Sequence, residues 1–281
     1  MLVIGILIFG MAVYVIVSVV KLISGLFYEY RKFSIKYDAN VNPSRLTIDH
    51  PDVASLLTHY SYYKELSPEG KEKFITRLIN FLSDKKFVGM NGLNVTDEMR
   101  VWISATAIQI TFGLDIYHLP HFHTIRVYPE IFYSKLLDAE LKGGTSPGGI
   151  IMLSWEDFQK GHASTDDKIN LGLHEMAHAL LLDMLHGTRS NRQLEAEIGE
   201  WEAAGNVEME KLRKKTPHFL RSYGGVNEHE FFAVSVEHFF EAPSEFKMRL
   251  PFIFKRLCRL LNQDPTNVRQ DYCYEKTAIF S

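Results

Sequence analysis

Hydrophobic positions along the chain fall into distinct regimes. From Met1 to Val20 there is no charged side chain, and after Lys21 the apolar run resumes over Leu22–Phe27. About 20 apolar residues cross the ~30 Å hydrocarbon of a bilayer, so residues 1–27 are expected to form a transmembrane anchor. A cleaved signal peptide needs a basic leader, a shorter apolar stretch and a small-x-small site, none of which is present. Lys21, Arg31, Lys32 and Lys36 all follow the span. The positive-inside rule then gives a single-pass protein of the cell membrane whose remainder faces the cytoplasm. Residues 28–50 are mixed and polar and read as a juxtamembrane linker, leaving residues 51–281 as the folded domain.

Within that domain, Pro51–Leu66 carries apolar side chains at helical spacing (Val53, Leu56, Leu57, Tyr60). Ser67-Pro68-Glu69 opens a second helix with a serine cap, a proline at the first position and an early acid. Phe74, Leu78, Ile79 and Leu82 continue its period. Thr96-Asp97-Glu98 starts a third helix through Trp102, Ala105 and Ile108 towards Gly113. Thr124–Tyr128 is short, β-rich and stopped by Pro129, which predicts a strand, and Ile150–Ser154 predicts another. Between them Gly143–Gly149 reads as a flexible connector, since it lacks the Gly-Lys-Ser/Thr ending of a phosphate loop. Ser164-Thr165-Asp166-Asp167 supplies a cap and two acids for a helix running Ile169 to Leu185 and stopping near Gly187. The balance is a helix-dominated α+β domain with a small sheet.

Composition changes this picture little. Hydrophobic residues make up 46 % and charged residues 23 %, the proportions of a chain that buries a core. A net charge of −3 gives no electrostatic case for nucleic acid as a partner. Cys258 and Cys273, without metal-ligand spacing, are expected to be free thiols in a reducing compartment.

The candidate chemistry lies in His174-Glu175-Met176-Ala177-His178. Histidines four apart share one helical face, and both imidazoles can reach one zinc ion at ~2.0–2.1 Å. Glu175 lies about 100° round the helix, placed for a water beside the metal rather than for the metal itself. The five-residue pattern alone arises by chance in roughly 1 such chain in 20, so its context carries weight. Leu171, Leu173, Ala177, Leu180, Leu181 and Met184 make the rest of this helix apolar. Two histidines and a glutamate in so buried a helix need partners, and an ion supplies them. A catalytic zinc takes a third protein ligand. Asn227–Phe240 is the candidate second helix, and spacing leaves Glu230, Glu237, His229 and His238 all open. His118, His121 and His123 precede a strand in a proline-punctuated loop and read as solvated rather than as a second metal site.

These segments, with Glu230-Phe231-Phe232-Ala233-Val234, Phe239-Phe240-Glu241-Ala242-Pro243, Tyr128-Pro129 and Ile151-Met152-Leu153-Ser154-Trp155, resemble the Mlc titration factor A family of zinc peptidases. Ser222 to Ala233 is similar as well to the catalytic domain of anthrax lethal factor. The resemblance covers about residues 50 to 262. It implies a zincin-like, gluzincin-type fold with one Zn2+ per chain, held by His174, His178 and Glu230. It also implies catalysis by Glu175 and Tyr223, the tyrosine facing the reacting carbonyl, and leaves Glu237 as a neighbour. One position departs from the family: three residues past His178, where an aspartate is usual, stands Leu181, with Asp183 two residues later. The group that orients the imidazoles is therefore open.

The expected function is a membrane-anchored peptidase acting on a peptide or protein substrate. Zinc activates a water, Glu175 takes its proton, Tyr223 stabilises the oxyanion, and Ile150–Ser154 is the edge strand along which the peptide pairs. The alternative is a protein-binding module that sequesters a cytoplasmic partner, such as a transcriptional repressor, at the membrane.

Overall fold

The computed structural model describes residues 50–135, 137–163, 168–186 and 192–274. The predicted anchor and all of the predicted linker but His50 lie outside the described residues. Among those described, no helix is long and apolar enough to cross a membrane.

The chain opens with α1 (His50–Leu56) and the single turn α2 (Ser61–Lys64). The continuous helix expected over Pro51–Leu66 is thus broken. Thr58 Oγ1 donates back to the Ser55 carbonyl (2.8 Å), and Tyr60 takes an extended backbone. That conformation carries the Tyr60 hydroxyl to Gln109 Oε1 (2.6 Å), a long-range bond that the local period does not register. α3 (Pro68–Asp84) begins as expected, with Ser67 Oγ accepting the Gly70 N–H at 3.0 Å. α4 (Asp97–Thr111) begins likewise, with Thr96 Oγ1 accepting that of Met99 at 3.3 Å.

A four-stranded sheet has the order β1-β2-β6-β5. β1 (Lys86–Gly89), β2 (Thr124–Tyr128) and β6 (Ile150–Ser154) are parallel, and β5 (Gly143–Ser146) runs antiparallel to β6. Ile125, Val127, Ile151 and Leu153 alternate with half-buried residues and point into the core. A separate hairpin pairs β3 (Phe132–Ser134) with β4 (Ala139–Leu141).

Two expectations are corrected here. Gly143–Gly149 is not merely a connector, because its first four residues form β5. Ile150–Ser154 is not the edge strand, because β6 lies between β2 and β5 and the edge beside it is β5. Glycine-rich sequence hides a strand because it has no side chains to show the alternation, while its main-chain groups pair as well as any.

After β6 come α5 (Trp155–Ala163), α6 (Leu171–His186), α7 (Arg192–Arg213), a 3-10 turn at Ser222–Gly225, α8 (Glu228–Glu241), α9 (Pro243–Arg249) and α10 (Pro251–Leu261). The helix with the His-Glu pattern, α6, packs against α8, α4 and the strands β5 and β6. Leu173, Met176, Ala177, Ala179, Leu180 and Met184 are buried around it. Its cap is Asn170, whose Oδ1 accepts the Leu173 N–H at 3.0 Å. The start signal read at Ser164–Asp167 falls on residues outside those described. Cys258 is buried and Cys273 exposed, both free.

Candidate metal centre

α6 and α8 cross so that three side chains converge. His174 Nε2 and His178 Nε2 are 3.1 Å apart. Glu230 Oε2 lies 3.1 Å from the first and 3.4 Å from the second. Bonds of 2.0–2.1 Å at tetrahedral angles put ligand atoms about 3.3 Å apart, so the triangle has the dimensions of one face of a zinc site. Its chemistry fits equally well. Glu237 Oε1 lies 2.8 Å from His174 Nδ1. With the proton on Nδ1, donated to that carboxylate, His174 Nε2 presents a bare lone pair. Glu230 Oε2 is buried and receives no well-formed hydrogen bond. Lone pairs facing one another at these distances repel unless a cation lies among them.

Electrostatics point the same way. Burial opposes charge on His174, but Glu230 and Glu237 outweigh it and raise its pKa to about 10. Burial also opposes charge on Glu230, and the two histidines nonetheless hold its carboxyl well below the usual range. The site attracts positive charge and takes a proton where no metal is supplied.

Glu175 contributes no atom to this triangle, and its carboxylate lies against β5. It is 5 % exposed, and burial raises its pKa against the pull of the two histidines and a hydrogen bond from Thr145. Thr145 Oγ1 lies 2.9 Å from Glu175 Oε2. A Cβ built on Gly143 would stand 2.5 Å from Glu175 Oε1, so this strand position admits only glycine without displacing the carboxylate.

The open question of what orients the imidazoles has an answer in α8. Glu237 is 1 % exposed and accepts from three donors: His174 Nδ1 (2.8 Å), the backbone N–H of Asn170 (2.7 Å) and Arg221 Nη2 (2.5 Å). One carboxylate thus ties the start of α6 to α8 and fixes one ligand ring. Asp183 Oδ1 instead accepts the His121 backbone N–H at 3.0 Å.

The other histidines play other parts. His229 is exposed, and His238 is buried with its Nδ1 bonded to the Val234 carbonyl (2.8 Å) and its ring edge-on to Phe219. His121 and His123 are exposed, whereas His118, also expected to be solvated, is buried; the three form no converging group among the described residues, where His174, His178 and Glu230 are the one such set. Tyr223 is 49 % exposed at the 3-10 turn, its ring 6.1 Å from that of His174. Partial burial and the adjacent Glu230 carboxylate raise its pKa, which keeps the phenol protonated as a donor.

Sequence reasoning missed Thr145, Gly143 and Arg221, and left the task of Glu237 open. The paired glycines at 143 and 144 were the available signal, since a strand that drops its side chains does so where something approaches closely.

The chain is similar to known proteins over most of its length. The profile of a family described as Glucose-regulated metallo-peptidase M90 matches residues 36–261. An uncharacterized protein of Synechocystis sp. is 29 % identical over 210 residues, covering 66 % of this chain and 73 % of the relative. Mlc titration factor A of Cronobacter sakazakii is 28 % identical over 223 residues, covering 71 % and 82 % respectively. That of Klebsiella pneumoniae matches to the same extent. The resemblance carried by the motifs therefore stands, and the chain belongs to the Glucose-regulated metallo-peptidase M90 family.

Proposed function

We propose that the chain is a zinc-dependent peptidase in which His174, His178 and Glu230 hold the metal and Glu175 is the general base. The observation that carries this reading is the 3.1–3.4 Å triangle of two imidazole nitrogens and a carboxylate oxygen beside a second, buried carboxylate, Glu175. When bound, zinc supplies a Lewis acid that acidifies water and polarises a carbonyl. The chain's own residues do the rest. Glu237 fixes the ring of His174. Glu175, made more basic by burial, accepts the proton of the attacking water and passes it to the leaving amine. Tyr223, exposed at the mouth of the site and protonated, donates to the oxygen that gains charge. The edge of β5, which no strand covers among the described residues, offers main-chain groups to an extended peptide.

Peptide turnover by the purified chain should vanish on chelation and return with zinc. Tyr223→Phe should keep its metal yet turn over ~10- to 100-fold more slowly, because only a hydrogen bond made in the transition state is lost. Turnover that survives complete metal removal would refute the proposal.

The relatives' name, Mlc titration factor A, supports a second role: binding a protein regulator. Against binding as the whole function stands Glu175, a buried carboxylate that sequestration does not need.

The uncharged Met1–Val20 followed by basic residues supports a membrane anchor with the catalytic part in the cytoplasm. Fractionation should place the full chain in membranes with Ser281 protected from external protease in intact cells. Release by alkaline carbonate would exclude the span.

A further inference from the structure

We propose that Thr145 is a positioning residue for the base, a hydroxyl that holds Glu175 in both of its protonation states, and that Gly143 keeps the space this requires. The proposal rests on the reading of Glu175 as proton acceptor. Thr145 Oγ1 lies 2.9 Å from Glu175 Oε2 and 3.1 Å from the main-chain carbonyl of the same residue. A hydroxyl has one proton and two lone pairs. While Glu175 is ionised, that proton is donated to Oε2. Once the carboxyl has taken a proton from water, it becomes the donor, and Thr145 Oγ1 accepts from it. The threonine proton then turns onto the carbonyl oxygen. No bond at Thr145 forms or breaks. The only transfer is from water to Glu175, and the remaining hydroxide attacks the substrate carbonyl. A buried carboxyl thereby stays hydrogen-bonded before and after the transfer, where an unsatisfied state would be costly.

Gly143 and Thr145 are two apart on β5 and so face the same side, towards α6. A Cβ at 143 would lie 2.5 Å from Glu175 Oε1 and 2.8 Å from Leu171 Cδ1. The strand whose free edge is offered to substrate is therefore also the strand that holds the base. A rival account is that Thr145 merely pins β5 to α6 through the carbonyl bond.

The test compares Thr145→Val, which keeps the shape, with Thr145→Ser, which keeps the hydroxyl, and with Gly143→Ala, all in the full zinc-loaded chain. Thr145→Val and Gly143→Ala should hold a full complement of zinc, lose ~10- to 100-fold in kcat and change KM less than ~3-fold. Thr145→Ser should stay within ~3-fold of the parent. Added to Glu175→Gln, Thr145→Val should cost no more than ~2-fold, because the group it positions is already disabled. Crystal structures should show the Glu175 carboxylate displaced in Thr145→Val and in place in Thr145→Ser. Parent-like kcat in Thr145→Val, a serine variant as slow as the valine, a full effect on top of Glu175→Gln, or an undisplaced carboxylate in Thr145→Val would each overturn the proposal. A parent that binds zinc but hydrolyses nothing would remove the peptidase reading alone, and the structural comparison would still decide the part of Thr145.

Discussion

Glu175→Gln is expected to bind about one zinc per chain and to lose ~10²-fold or more in turnover. The substitution keeps size and hydrogen bonding, and the amide can still accept from Thr145 Oγ1 at the place where Oε2 stands 2.9 Å away. What it removes is the ability to take a proton. The metal should be untouched, because Glu175 contributes no atom to the triangle of His174, His178 and Glu230. Metal content and kcat measured on one preparation separate the two effects. Undiminished turnover in this variant would dismiss the base and leave protein binding as the stronger function.

Removal of Glu230 should be felt first in the metal. Its carboxylate supplies one of the three donor atoms and the negative charge among them. Glu230→Ala should lose zinc on dialysis, with affinity falling by more than the ~10- to 100-fold typical of residues that only orient a ligand. Glu237→Ala should fall within that 10- to 100-fold range and show a second effect on stability. It leaves His174 Nδ1, the Asn170 N–H and Arg221 Nη2 without their shared acceptor. Breaking a fully buried ion pair costs about 3–5 kcal/mol. Arg221 is 28 % exposed, and water screens part of its charge, so a loss on the order of 2–3 kcal/mol is expected. Metal titration and thermal unfolding of the two variants side by side distinguish the assignments. A zinc-free Glu237→Ala beside a zinc-loaded Glu230→Ala would reverse them.

The local parts of this protein were legible in its sequence because they depend on near neighbours. Ser67 and Thr96 cap their helices through bonds to residues three further on. Strands β2 and β6 show their inward alternation in four aliphatic residues that end fully buried. His174 and His178 share a face because four residues make about one helical turn. Their demand for a partner followed from the apolar helix around them.

Local periodicity left undetermined every choice that depends on how α6 meets its neighbours. Glu230 and Glu237 are one heptad apart and equal by period. Only the crossing of α6 and α8 puts the first beside both Nε2 atoms and the second behind His174, at Nδ1. The break at Tyr60 comes from a bond to Gln109, 49 residues away. β5 escaped notice because glycine carries no alternating side chain, and the sheet order that makes it the edge is a matter of pairing. The sequence by itself thus determined which helix carries the candidate metal ligands and which residue would take the proton in the proposed reaction. Tertiary structure brings Glu230, the carboxylate that the family resemblance implied, into the triangle, and it alone decided that Glu237 meets the imidazole and that β5 lies against Glu175, because these depend on contacts across elements that no local periodicity encodes.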